Sequence, residues 1–228
     1  MAASDGQALS FNDGETENRA ENKKKILRLG LILFTVAAIT GIILGIVYQI
    51  TLEPIRETQE RLRGAALSGA LPEAKSFSLV EIVPDADPMI VDVQEALDGD
   101  QLVGYCLTLT SKGYGGPLEI VVGITETGKL RAIRILSHSE TPGLGAKAPL
   151  PVFSGQYENR EAEKLILVKT APERDNEVQA ISGATITSTA VTDGVNAALD
   201  YWRNHLKTTL REGTEDEEEE EGTEDEPF

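Results

Sequence analysis

The sequence predicts an α+β protein: a single N-terminal transmembrane helix, then a domain whose mainly antiparallel sheet packs against helices. Three observations carry this. From Leu29 to Leu52 there is no charged residue, and Leu, Ile, Val, Ala and Gly dominate. β-rich runs then succeed one another from Phe77 to Leu136 without the strand–helix alternation of a Rossmann unit. Finally, apolar residues recur at helical spacing from about Thr187 to Lys207, which supplies a covering helix.

A chain of 228 residues has room for one ordinary domain with appendages. The expected division is a flexible cytoplasmic segment (1–25), the transmembrane helix (26–52), a juxtamembrane helix or linker (53–72), the folded domain (73–208) and a disordered acidic tail (209–228). The tail dominates the charge: of the net −17, the 11 acidic residues between Glu212 and Glu226 leave −6 for everything else. Such a run repels itself and has no apolar surface to bury. No basic face is present to suggest nucleic acid.

At 1.5 Å rise per residue, the 24 residues from Leu29 to Leu52 span a hydrocarbon core of roughly 30 Å. The segment is longer than the apolar region of a cleaved signal peptide, so an uncleaved anchor is the better reading. Arg19, Lys23, Lys24, Lys25 and Arg28 precede it, while Arg56, Arg61 and Arg63 follow. That bias places the N terminus in the cytoplasm and the large domain outside. After the anchor, Leu62, Ala65, Ala66 and Ala70 stand at helical spacing, and Pro72 ends the helix they predict.

From Phe77 the period becomes two. Phe77 to Val83, Leu102 to Thr110, Leu118 to Thr125 and Lys129 to Leu136 read as strands, with a further strand at Lys164 to Lys169. Thr125-Glu126-Thr127-Gly128-Lys129 has the chemistry of a hairpin connection. In the terminal helix Ala190, Val191, Val195, Ala198, Leu199, Trp202 and Leu206 form the buried face. The single cysteine, Cys106, sits in a strand-like run and reads as a buried structural thiol; it leaves no disulfide and no iron–sulfur ligand set.

Two loops could carry chemistry. His138-Ser139-Glu140-Thr141-Pro142-Gly143-Leu144-Gly145-Ala146-Lys147 combines polar side chains with glycines that allow positive φ and close approach to a flat ligand. On the residues alone, a plain turn with an exposed histidine explains it as well. A metal site would lack ligands, since the other histidine, His205, lies on the terminal helix. The second loop, Gln179-Ala180-Ile181-Ser182-Gly183-Ala184-Thr185-Ile186-Thr187-Ser188, puts hydroxyls and a glycine at a helix start. There unpaired N–H groups and the helix dipole favour a phosphate. Spacing alone favours the blander reading, in which one of the hydroxyls caps the helix.

With the anchor and Gly113-Tyr114-Gly115-Gly116-Pro117-Leu118, these two loops resemble the G subunit of Rnf electron-transport complexes, in the expected order and from roughly Thr35 to His205. A relative built on the same plan is the C subunit of sodium-translocating NADH:quinone reductases. The resemblance implies an extracytoplasmic FMN-binding domain on a bacterial or archaeal cytoplasmic membrane. It implies FMN esterified through its phosphate to Thr185, with Thr187 the second candidate, by a flavin transferase that uses FAD. Ser182, Gly183 and Ala184 would shape the phosphate site or its recognition. Glu140, Thr141, Gly143 and Leu144 would lie along the isoalloxazine or ribityl chain. Gln179 stands where the resemblance leads one to expect an acidic residue.

By the same resemblance the chain holds no catalytic residue and no complete active site. It would relay electrons in an assembly that couples ferredoxin:NAD electron transfer to Na+ or H+ translocation. Its partners would be the other subunits, the transferase and membrane lipid. The alternatives are a C-type subunit of a quinone reductase and a non-redox, membrane-anchored ligand-binding or sensor protein.

Overall fold

The computed structural model describes residues 13–161 and 164–207. The acidic tail and the first twelve residues lie outside them. The chain divides into two compact units, Met1–Gln59 and Glu60–Phe228.

The first unit is helical. Helix α1 is a single element, Asp13–Ala70, with Pro54 inside it. It begins well before residue 26, where a flexible segment was expected, because 13–25 is rich in Glu, Lys, Arg and Ala, which have high helix propensity. Among the described residues α1 is the one helix long and apolar enough to cross a membrane, and its membrane-length window is wholly exposed.

The second unit starts at Glu60, so the last turns of α1 belong to the folded domain instead of forming a separate linker. A five-stranded antiparallel sheet follows, in the order β1 (Ser76–Val80), β2 (Ile90–Asp98), β3 (Gln101–Lys112), β4 (Pro117–Thr125) and β5 (Leu130–His138). Each strand pairs with the next, as a meander requires. The hairpin expected at Thr125–Lys129 joins β4 to β5; Gly128 supplies φ +89° and its N–H donates to the Thr125 carbonyl at 2.9 Å.

Period two sorts the strand residues onto two faces. Tyr105, Leu107, Leu109, Ile120, Val122 and Ile124 point to one face and pack under helix α3 (Thr185–Tyr201). All seven apolar residues predicted for that helix are buried, and each fully buried Leu or Val contributes roughly 1.5–3 kcal/mol. The helix does not stay regular to Lys207: Trp202–Leu206 is a π-helical turn. Cys106 and Val121 point to the opposite face, which Ala66, Leu67, Ala70 and Leu71 cover. The packed face of α1 is therefore shifted from the expected one: Leu62 and Ala65 are exposed, and Leu67 and Leu71 take their place.

Strand β2 has no counterpart in the predicted strands. Two register shifts, at Ile90/Asp92 and Ala96/Leu97, break its alternation, as a β-bulge does. A buried polar residue, Gln94, also hides it: it donates at 3.2 Å to the half-buried Asp92, which accepts the Thr108 hydroxyl at 3.2 Å as well and forms an ion pair with Arg63.

Between β5 and α3 lie a short helix α2 (Pro151–Ser154) and a parallel pair, β6 (Ile166–Val168) with β7 (Glu177–Gln179). Tyr157 follows α2, sits edge-on to Phe153 at 5.5 Å and shares a 2.8 Å hydrogen bond with Thr192 of α3. Burial pushes the pKa of its hydroxyl up. The end of β7 is pinned: the Gln179 N–H donates to Gln156 Oε1 at 2.8 Å, and Gln156 Nε2 donates to the Gln179 carbonyl at 3.2 Å. The chain thus enters the Ser182 loop from a fixed point.

Candidate functional site

Helix α3 begins with an uncapped end. Its N-cap position is held by Ala184, whose methyl can cap nothing, and the first helical hydrogen bond runs from the Ser188 N–H to the Ala184 carbonyl at 3.0 Å. The N–H groups of Thr185, Ile186 and Thr187 therefore precede any carbonyl within the helix. The hydroxyls that could have capped the end are used elsewhere or left free. Ser188 Oγ accepts the Ile181 N–H and donates to the Ala184 carbonyl, both at 2.9 Å. Thr187 Oγ1 donates to Glu140 Oε2 at 2.9 Å. Gly183 turns the chain into the helix with φ +77°.

Glu140 ties three segments together. It is 6% exposed. One carboxylate oxygen accepts the N–H groups of Tyr114 (2.9 Å) and Gly115 (3.2 Å), and the other accepts the Thr187 hydroxyl. Its own N–H donates to His138 Nδ1 at 3.3 Å. Hydrogen bonds to an ionised carboxylate are about twice as strong as neutral ones, which suits it to hold loops in place. Two glycines permit the approach: a Cβ on Gly113 would strike the carboxylate, and one on Gly145 would sit 2.6 Å from Thr187 Oγ1. Of the two loop glycines expected to use positive φ, only Gly143 does so, at +79°; Gly145 is there for space.

These segments enclose an open cavity of about 420 Å³, within the roughly 300–1,000 Å³ typical of ligand sites. Its floor and polar side come from Glu140, Thr141, Thr185 and Thr187, with Gly183, Ala184 and Gly145 around the helix end. Its apolar side comes from Tyr114, Leu144 and Ile186. Seven of the nine residues picked from the sequence thus line one cavity; Ser182 and Gly143 are the two that do not. Tyr114, Gly145 and Ile186 line it without having been among those nine. Tyr114 stands in a motif that the sequence offers, but nothing in its spacing shows that the motif folds against Glu140.

Burial separates the two threonines that the sequence leaves alike. Thr185 is exposed and lines the cavity at the helix start. Thr187 is 1% exposed and its hydroxyl is committed to Glu140. The arrangement suits an anion attached to a flat, largely apolar group. Free N–H groups and a side-chain-free glycine stand at the helix start, with the exposed apolar side chains of Leu144 and Ile186 beside them. An FMN phosphate and isoalloxazine have those two properties, so the residues fit that cofactor.

A family model described as an FMN-binding domain matches residues 113–200, which contain the whole cavity lining. The chain is similar to the G subunit of the Na(+)-translocating ferredoxin:NAD(+) oxidoreductase complex of Acetobacterium woodii, 34% identical over 207 residues, covering 85% of this chain and 100% of that protein. It is similar also to the G subunit of the proton-translocating ferredoxin:NAD(+) oxidoreductase complex of Clostridium ljungdahlii, 37% identical over 162 residues, covering 71% and 83%. Among solved structures, the C subunit of the Na(+)-translocating NADH-quinone reductase from Parabacteroides distasonis overlays with a TM-score of 0.45 at 24% identity, covering 59% of this chain and 77% of that one. The chain belongs to the G-subunit family of Rnf ion-translocating oxidoreductase complexes, as a single-pass membrane protein that carries an FMN-binding domain.

Proposed function

We propose that this chain is an electron relay of a ferredoxin:NAD oxidoreductase complex and that it carries FMN esterified to Thr185. One observation supports the linkage above all others: Thr185 presents a free hydroxyl at an uncapped helix start, while Thr187 is buried and bonded to Glu140. With FAD as donor, the Thr185 oxygen would bond to the FMN phosphorus as the bond to AMP breaks, and the AMP would leave with the hydroxyl proton. The phosphate would then receive the N–H groups at the start of α3 and the positive end of the helix dipole. The bound isoalloxazine supplies reversible one-electron chemistry. The protein's own part is to fix that ring's position and surroundings, so no general acid or base is required of it.

Ser182 and Gly183 would present the loop to the transferase. Gln179 would not prevent this, because the backbone there is already fixed by Gln156. The bias of Lys and Arg ahead of the apolar stretch Leu29 to Leu52 supports a cytoplasmic N terminus with the FMN domain on the other side. The relatives are named for Na+ in one case and protons in the other, and translocation of either ion would belong to the assembly.

The test is the mass of the tryptic peptide Asp175 to Arg203 from chain produced with its transferase. It should carry FMN less one water, and Thr185→Ala should abolish the adduct while Thr187→Val retains it. An unmodified wild-type peptide, or an adduct that survives in Thr185→Ala, refutes the linkage.

A further inference from the structure

The cavity has an aromatic residue that the function so far has not used. Tyr114 is 71% exposed, and among the described residues that line the cavity it is the only aromatic one. Leu144 (43% exposed) and Ile186 (56%) stand with it. Large apolar side chains left to water around a concavity mark a surface that a ligand covers.

The side chain is free, but its backbone is not. The Tyr114 N–H is held by Glu140 Oε1 at 2.9 Å, and the turn is closed by the Gly113 N–H donating to the Gly116 carbonyl at 2.9 Å. On either side, a Cβ at Gly113 would strike Glu140 and one at Gly115 would strike the Ser139 carbonyl. The ring therefore projects from a turn that cannot shift. The other oxygen of the same carboxylate reaches Thr187, two residues beyond the proposed attachment point. One buried side chain thus fixes the position of the aromatic group relative to the helix start that receives the phosphate.

We infer that Tyr114 is the aromatic wall of the flavin site, its ring lying against the isoalloxazine, and that Glu140 is the positioning residue that sets this ring against the Thr185 end. The inference rests on the proposed attachment of FMN to Thr185. Aromatic rings favour offset-stacked or edge-to-face contact at ring separations of about 4.5–7 Å. At such contact a phenol or indole quenches an excited flavin by lending it an electron that then returns, whereas a benzene ring is too hard to oxidise to do so.

The experiment uses the full chain, produced with its transferase and purified in detergent. Covalent flavin per chain is measured by mass and absorbance, and emission is then measured per flavin. The wild type should be dim beside an equal amount of free FMN. Tyr114→Phe keeps the ring's bulk and should be several-fold brighter; Tyr114→Leu should be brighter too, and Tyr114→Trp should stay dim. Opposite outcomes for Phe and Trp cannot come from a merely structural role. A Tyr114→Phe protein that carries flavin and is as dim as the wild type overturns the inference. Absence of flavin from the wild type overturns the attachment itself, a result separable from the emission measurement.

Discussion

Replacing Glu140 by alanine should loosen the site from inside. The carboxylate takes three hydrogen bonds, at 2.9, 3.2 and 2.9 Å. A bond to a charged group contributes roughly 1.5–3 kcal/mol. Thr187 is 1% exposed, so water cannot replace its lost partner and that bond counts in full. Tyr114 and Gly115 are exposed, and rehydration returns about half the value of theirs. Relief of the carboxylate's own desolvation offsets part of the sum, leaving a loss of about 3–4 kcal/mol. For a domain of this size each kcal/mol lowers Tm by about 2–4 °C, so the midpoint should fall by roughly 6–16 °C. Near-UV circular dichroism of the full chain in detergent measures it. Glu140→Gln keeps an acceptor for both N–H groups and an amide for Thr187, and should lose only about 1 kcal/mol. If Glu140→Ala unfolds within about 2–4 °C of the wild type, a shift worth about 1 kcal/mol, Glu140 does not hold these segments together.

Three further outcomes follow from single residues. Thr187→Val removes one bond to Glu140 and should lower stability by roughly 1.5–3 kcal/mol while leaving the covalent flavin in place, which thermal unfolding and peptide mass read separately. The Cys106 thiol is raised from 9.0 to about 12, by burial first and the Asp92 charge second. The folded state then keeps a proton that the unfolded chain gives up, so this contribution is intact below about pH 9 and is lost towards pH 12 at about 1.4 kcal/mol per pH unit. Buried tyrosines act in the same direction from about pH 10, so Cys106→Ala should flatten the fall between pH 9 and 10; unfolding curves parallel to the wild type refute this. Gly128→Ala forces a side chain to φ +89° and into the Trp202 ring, at a cost above about 1 kcal/mol. Trp202 is the only tryptophan, so its emission should shift to the red as the π-helical turn is displaced.

Where burial imposes a period or a long apolar run, the sequence was readable. Helix α3 announced itself because one face turns wholly inward, and strands β3 to β5 because they are long, apolar and rich in β-branched residues; β3 and β4 are buried on both faces in their middles. Strand β2 did not, because two bulges shift its phase and Gln94 is buried through hydrogen bonding. Strand β6 lies inside the strand expected at Lys164 to Lys169, whereas its parallel partner β7 has three residues, too few to show any period. In the site, hydroxyls at a helix start were legible as chemistry, but their spacing could not rank Thr185 over Thr187; only the bond to Glu140 does. Glu140 itself read as a ligand contact. Its three partners come from positions 114, 115 and 187, a convergence that no local pattern encodes.

The close packing of the last turns of α1 on the sheet limits where this protein can be cut. A Cβ on Gly123 would run into the Ala70 carbonyl, and one on Gly104 would come within 3.0 Å of Leu71, so this contact is made at backbone distance. Arg63 adds its ion pair with Asp92. A soluble fragment begun after Pro72 would keep every cavity residue yet bare Ala96, Cys106 and Val121 to water, and should associate through that stripped sheet. A fragment begun at Glu60 carries its own cover, because Arg63, Ala66, Leu67, Ala70 and Leu71 all come with it when the domain is freed from its anchor.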